Sequence, residues 1–130
     1  MTVDPTYVVD SDVFITAKNL YYSFDICPGF WKSVVHHHLA GRVFSVDRAR
    51  SELLAGHPAE EAKFATGADG WLVAYARVHR AIVVTNEQSA PESRREIKLP
   101  DVCDQFEVKH ENTFAMLRAL NVSFDWARDG

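Results

Sequence analysis

The sequence predicts an α/β fold of the doubly wound type, built on a parallel sheet. Residues 7–9 and 81–85 are the clearest strands, and the second is a continuous apolar run, which is typical of a strand buried on both faces. Segments with helical spacing precede and follow that run. Strands that alternate with helices in this way indicate βαβ units, and therefore strands that pair in parallel.

The remaining elements complete this alternation. Gly41 and Gly56 predict helix ends, Pro28-Gly29 predicts a turn, and Thr113 is the expected N-cap of the last helix. Residues 121–130 fit either an edge strand or coil. The other predicted strands are 42–46 and 108–110, and the predicted helices are 13–19, 30–39, 47–54, 59–65, 71–79, 101–106 and 113–120.

The composition is that of an ordinary soluble domain. The 130 residues are 47% hydrophobic and 25% charged, which suits a single domain over residues 1–130. No apolar run is long enough to span a bilayer, and the first residues lack the features of a signal peptide, so we expect a cytoplasmic protein that does not enter a membrane. Cys27 and Cys103 are then expected to be reduced thiols. The net charge of −4 argues against a basic coat protein for nucleic acid, but not against an enzyme that cuts it.

Acidic residues directly follow the first strand. Asp10 and Asp12 stand at the carboxyl end of residues 7–9, where ligands bind in parallel sheets. Their carboxylates are candidate ligands for Mg²⁺, although an Asp that only caps the following helix is an equally good interpretation of this stretch alone. Asp69 opens an alanine-rich helix, where the helix dipole favours a carboxylate.

Three further segments have ordinary structural explanations beside functional ones. The aromatic residues between 21 and 31 could stack nucleobases, but such large apolar groups beside a sheet more often fill the core. His36, His37 and His38 are consecutive, and consecutive helical residues point in different directions, so we do not expect them to chelate one ion. Arg94 and Arg95 lie in the most basic loop, which is either solvated surface or a site of phosphate contact.

The order of these pieces resembles the PIN-domain nucleases, small α/β proteins that include many toxins of toxin–antitoxin pairs. One of these pieces is Ala-Asp-Gly-Trp-Leu-Val-Ala-Tyr-Ala at 68–76. Three further motifs are Tyr-Val-Val-Asp-Ser-Asp-Val-Phe-Ile at 7–15, Phe-Asp-Ile-Cys-Pro-Gly-Phe-Trp at 24–31 and Leu-Pro-Asp-Val-Cys at 99–103. They are similar to a little-characterised PIN-like subgroup over nearly the whole chain. The resemblance implies a three-layer α/β/α fold with a mostly parallel sheet, shortened in the middle helical segment because Glu52 and Asp69 stand close together in the sequence.

The resemblance also implies a site. The family's catalytic acids match Asp10, Glu52, Asp69 and Glu87, with Glu60 or Glu61 as alternatives to Glu52. Of these, Asp10, Asp69 and Glu87, together with Asp12, would hold Mg²⁺ or Mn²⁺. The residues expected to orient these carboxylates are Ser11, Thr85 and Asn86. The basic residues expected to contact RNA phosphates are Arg77, Arg80, Arg94 and Arg95.

The resemblance therefore implies a metal-dependent endoribonuclease, the toxin of a toxin–antitoxin system. The expected partners are an RNA substrate, a cognate antitoxin protein and a second copy of the chain in a homodimer. One alternative is a catalytically inactive PIN-like module that works by binding protein or RNA, which the shortened middle segment favours. Another is a flavodoxin-like or phosphatase-type enzyme that uses Asp10 as a nucleophile.

Overall fold

The computed structural model describes residues 5–45, 68–90, 92 and 98–125, and for residues 68–71 it describes the backbone only. The predicted helices at 47–54 and 59–65 lie outside the described residues. So do the candidate site residues Glu52, Glu60, Glu61, Arg94 and Arg95.

Four short strands form a parallel sheet. They are β1 (Tyr7–Val9), β2 (Val43–Ser45), β3 (Ile82–Val84) and β4 (His110–Glu111), arranged in the order β2-β1-β3-β4. All three pairs are parallel, with Val9 in register with both Ser45 and Val84. The predicted parallel sheet is therefore confirmed. The strand order reverses between β1 and β3, and this is the point at which open α/β sheets bind ligands.

Helices cover both faces of the sheet, which confirms the three-layer α/β/α architecture. The helix that follows β1 continues into a π-helical turn at Ala17–Tyr21. None of the helices in the described part of the chain is both long enough and apolar enough to cross a membrane. The helices are α1 (Ser11–Thr16), α2 (Pro28–Leu39), α3 (Ala68–His79), α4 (Leu99–Gln105) and α5 (Thr113–Ala119).

The sheet separates two apolar cores because successive strand residues point to opposite faces. Val8 and Val83 pack in the core that includes residues of α3 and α4, whereas Val9 and Val84 pack in the core that includes residues of α1, α2 and α5. Cys103 belongs to the first core and Cys27 packs against the second. The two sulfurs therefore form no disulfide, as the sequence predicts.

The beginnings of α2 and α4 differ from the predictions for a shared physical reason, which is a proline in the first turn. Pro28 does not lie in a turn but begins α2, and α4 begins at Leu99, two residues before the predicted start. Proline is tolerated in the first turn of a helix because the N–H it lacks would have no partner there.

The predicted cap at Thr113 is wrong: Asn112 caps α5, with its Oδ1 accepting from the Ala115 N–H at 2.8 Å.

The last strand and the tail also differ from the predictions. β4 spans His110–Glu111, where the sequence predicted a strand at 108–110. Of the two alternatives for the tail, the described residues 122–125 are coil.

Candidate active site

Asp10 lies at the centre of the carboxyl edge of the sheet. Its N–H donates to the Val84 carbonyl at 2.9 Å, which places it beside the end of β3. The side chain is only 9% exposed. Thr85 Oγ1 donates to Asp10 Oδ2 at 3.2 Å, and the Asp12 N–H donates to Oδ1 at 3.4 Å. Asp10 is therefore the N-cap of α1. It is also a buried acid at the switch point of the sheet, the place between β1 and β3 where the strand order reverses.

The surroundings of Asp10 oppose its ionisation. Burial raises the pKa of its carboxyl group above the ordinary value, and the nearby charges of Glu87 and Asp12 raise it further. The hydrogen bonds from the Asp12 N–H and the Thr85 hydroxyl act in the opposite direction but do not cancel the effect of burial. A carboxylate in such a place is stabilised by a cation that neutralises the local charge.

Thr85 connects Asp10 to the loop after β3. It is 3% exposed, and its Oγ1 also accepts from the Glu87 N–H at 3.1 Å. The Glu87 side chain extends to α4, where its Oε2 accepts from the Leu99 N–H at 3.0 Å. Asn86 is directed elsewhere, because its Oδ1 accepts from Thr113 Oγ1 at 2.9 Å. Thr85 thus orients Asp10, while Glu87 lies beside it and stabilises the start of α4.

The other predicted residues of the site, Ser11, Asp12 and Asp69, differ in their position relative to Asp10. Ser11 and Asp12 are exposed in the first turn of α1. Asp69 is the second residue of α3, a helix that contacts β1 and β3 and ends just before β3. Because α3 returns the chain to the start of a parallel strand, its first turn lies toward the carboxyl edge of the sheet. The backbone of Asp69 therefore lies at the same edge as Asp10.

The residues present meet the needs of a divalent cation only in part. Within the described residues, no group of three or more His, Cys, Asp or Glu side chains is arranged to hold a metal ion. Mg²⁺, however, keeps several of its waters and commonly uses one or two carboxylates. One buried carboxylate whose ionisation is disfavoured, with a hydroxyl that orients it, fits such a sparsely coordinated ion.

Two of the four predicted RNA-binding arginines, Arg77 and Arg80, lie away from this edge. Arg77 and Arg80 line a cleft with Thr6 and Lys109 at the amino ends of the strands, opposite Asp10. Arg77 Nη1 donates to the Phe106 carbonyl at 2.8 Å, which fixes it at that end. Their contact with RNA stays a prediction, and it concerns a surface separate from Asp10.

A cavity of about 600 Å³ opens beside Thr85 and Glu87 at the carboxyl edge. Glu111, the last residue of β4, is one of its lining residues, and sequence reasoning did not select it. The signal was present, because Glu111 and Asn112 are polar residues at the end of a strand, just as Asp10 is.

Removing the Thr85 hydroxyl is expected to impair this site measurably. Thr85→Val keeps the shape but leaves the buried Asp10 oxygen without its donor, which costs about 1–3 kcal/mol of unfolding free energy. We also expect the pKa of Asp10 to rise further, because the hydroxyl bond lowers it. Urea denaturation and carboxyl-carbon NMR titration measure the two effects. Thr85→Ser should retain both properties, and a wild-type pKa in Thr85→Val would contradict the assigned contact.

Comparison with known proteins places the chain in a family. A family model described as a domain of unknown function, DUF4411, matches residues 7–61 and 54–124. The chain belongs to this family. Asp10 falls in the first matched segment of DUF4411, and Thr85, Glu87 and Glu111 fall in the second. No curated protein and no solved structure matches the chain.

Proposed function

We propose that this DUF4411 chain is a metal-dependent endoribonuclease that hydrolyses RNA phosphodiester bonds, and that it is the toxin of a toxin–antitoxin pair. The observation that carries the proposal is the position of Asp10. Its carboxyl group is buried at the switch point of the sheet, is disfavoured as a bare anion and is oriented by Thr85. This is the environment in which a cation and an anionic phosphate complement the protein.

The chemistry divides between the ion and the protein. A bound Mg²⁺ or Mn²⁺ would polarise the phosphate and lower the pKa of an attacking water. Asp10 would hold the ion, with the Thr85 hydroxyl fixing the direction of its Oδ2. Asp69 is the second residue proposed to hold it, because its helix begins at the same edge. Glu87 lies close enough for its charge to act on Asp10 and is proposed to bind coordinated water.

Resemblance supports the choice of RNA as substrate. The order of Asp10, Asp69, Thr85 and Glu87 along the chain is similar to that in the PIN-domain nucleases. This resemblance makes RNA the expected substrate of the chain. In this proposal Glu52 is a fourth acid, supplied by the segment outside the described residues.

The same proposal extends to partners and location. A cognate antitoxin would bind the acidic edge with a basic segment, because charge-assisted bonds to carboxylates are strong. The exposed aromatic side chains of Tyr21, Phe24 and Phe114 offer apolar area for that partner or for a homodimer. We place the protein in the cytoplasm, where RNA is available and where its two cysteines remain thiols.

Cleavage of RNA by the purified chain tests the proposal. We expect wild-type protein with Mn²⁺ to cut a single-stranded RNA, and EDTA to stop the reaction. Asp10→Asn should reduce the rate at least about a hundredfold, because even residues that only orient metal ligands contribute about ten- to a hundredfold. The products are resolved by denaturing gel electrophoresis.

Asp25→Asn is the matched control, because it removes the same charge from an exposed turn. It should cut at the wild-type rate. Equal cutting by Asp10→Asn and wild type would show that a contaminating nuclease is responsible. Intact RNA under every metal condition would reject the nuclease assignment.

A non-catalytic binding module is the second candidate, and two observations favour it. The Glu87 carboxylate is already bonded to the start of α4, and within the described residues no group of three acids is arranged to hold an ion. Such a module would bind RNA without Mn²⁺ and leave it uncut. RNA that is bound without metal but stays uncut under every metal condition would therefore support this candidate over the enzyme.

A further inference from the structure

The cavity lined by Thr85 and Glu87 is large enough for a small organic group. Its volume of about 600 Å³ lies within the ordinary range for ligand sites. One part of its wall is aromatic, with Tyr21, Tyr22 and Phe114, and another is polar, with Asn86 and Glu111. Such a combination of ring faces and hydrogen-bonding groups is characteristic of sites that hold a nucleobase.

Glu111 is the unusual member of this wall. It pairs in register with Val84, whose side chain is in the core beside α5, so its own side chain points to the same face of the sheet. Its Oε2 is buried, and no residue of the described chain donates a hydrogen bond to it. A buried acceptor without a donor is unfavourable, and a ligand that supplies N–H groups would relieve the cost.

Asn86 supplies the opposite hydrogen-bonding character. Because its Oδ1 accepts from Thr113 Oγ1, the amide group is fixed and its Nδ2 remains to donate. Within the described part of the chain, no other bond is formed by this side chain. The cavity therefore offers a carboxylate that accepts and an amide that donates.

The aromatic wall offers a place for a flat ring. Tyr21 and Phe114 are 60% and 46% exposed, and their ring centroids lie 6.3 Å apart in an edge-to-face arrangement. One ring face is thus available to a planar group entering the cavity. Stacking on aromatic side chains is the usual way in which proteins hold an unpaired base of RNA.

We propose that this cavity binds a guanine base of the RNA substrate, with Glu111 accepting from its N1–H and N2–H groups and Asn86 donating to its O6. The inference rests on the proposed function and adds sequence specificity to it. Guanine presents one acceptor and two donors on this edge, which matches the amide and the carboxylate. Adenine presents an acceptor at N1, and uracil presents one at O2, so each would oppose a carboxylate oxygen. The carboxylate can turn to meet both donors because the last torsion of Glu is broad.

Binding without metal tests the inference independently of cleavage. The Kd values of uridine pentamers with guanine, inosine, adenine or uracil at the centre are measured by fluorescence anisotropy in EDTA. We expect guanine to bind about tenfold more tightly than adenine or uracil, with inosine in between because it lacks the N2 amine. Free guanosine monophosphate should compete with the guanine pentamer.

Two variants and a control make the result specific. Glu111→Gln should bring the ratio between guanine and adenine close to one, because the amide donates to the adenine N1. Asn86→Asp should weaken binding of the guanine pentamer, because a carboxylate then faces O6. Asp25→Asn neutralises an exposed carboxylate that does not line the cavity and should keep the wild-type ratio.

The outcomes separate this inference from the proposed function. Equal Kd values for the four pentamers, or no binding to any of them, would overturn it. Binding of free guanosine monophosphate without a guanine preference among the pentamers would also overturn it. So would a guanine preference that neither variant changes. RNA that is cut without a guanine preference would leave the nuclease in place and remove the guanine site. A guanine preference that depends on Glu111, in a protein that never cuts, would reject the nuclease and retain the base-binding site.

Discussion

Phe30→Ala is expected to lower the free energy of unfolding by about 3–5 kcal/mol, the usual cost of truncating a fully buried Phe. Phe30 has no exposed surface, and it packs in the core that includes residues of α1, α2 and α5. Its ring is stacked on Tyr22 with centroids 4.4 Å apart and meets Trp31 edge-on at 5.0 Å. Truncation would remove both contacts and leave a cavity beneath α2. Urea denaturation followed by far-ultraviolet circular dichroism measures the change.

Phe24→Ala is the matched control for this core. Phe24 also contacts Trp31, at 4.6 Å, but its side chain is 55% exposed. Its truncation should cost only about 0.5–1.5 kcal/mol, the value of an aromatic pair. A similar loss in both variants would mean that the aromatic residues of 21–31 act as one surface cluster and not around a buried centre. A loss below about 1 kcal/mol for Phe30 would contradict its place in the core.

The sheet and the position of Asp10 at its carboxyl edge could be predicted because they depend on local signals. Short apolar runs mark β1 and β3, and the helices between strands make the pairing parallel. Asp10 directly follows β1 and Thr85 directly follows β3, so the parallel register alone brings them together. The parallel register therefore accounts for the contact between Thr85 and Asp10, which the resemblance to the PIN-domain nucleases implied.

Other contacts could not be predicted because they join distant parts of the chain. Thr113 looks like an N-cap, but its hydroxyl is bonded to Asn86, and Asn112 takes the capping position. Glu87 looks like a free acid at a strand end, but it accepts from the Leu99 N–H. Arg77 and Arg80 look like partners of an acidic site, but helix α3 carries them to the opposite end of the sheet. In each case the tertiary position, not the residue type, determines the partner.

The stability of the wild-type protein should depend on pH through Asp10. Because burial raises the pKa of Asp10 in the folded state, the folded protein holds this proton more tightly than the unfolded chain. Its favourable contribution is complete below the ordinary pKa of aspartate and is lost as the pH rises through the raised value. We therefore expect this component of the free energy of unfolding to fall over that interval. Asp10→Asn should lack the component, since Asn caps α1 equally well without titrating.

Manganese should restore the stability that ionised Asp10 removes. Above the raised pKa the bare carboxylate is unfavourable, and an ion that binds only the folded state adds free energy that rises with the logarithm of its concentration above the Kd. At a concentration one hundred times its Kd, Mn²⁺ should stabilise the wild type by about 2.7 kcal/mol. Asp10→Asn should gain little, because the substitution removes the charge that attracts the ion. Thermal denaturation at pH 7.5, with and without Mn²⁺, measures both proteins.

The difference between the wild type and Asp10→Asn in their stabilisation by Mn²⁺ distinguishes a metal site at Asp10 from an Asp that only caps α1. Asp25→Asn should respond to Mn²⁺ as the wild type does, because its carboxylate lies in an exposed turn. If Asp10→Asn gains as much stability from Mn²⁺ as the wild type, the ion binds elsewhere and Asp10 serves only to cap α1. If neither protein responds, the binding module becomes the better description. A response confined to proteins that retain Asp10 would give the buried carboxylate a function that capping alone does not require.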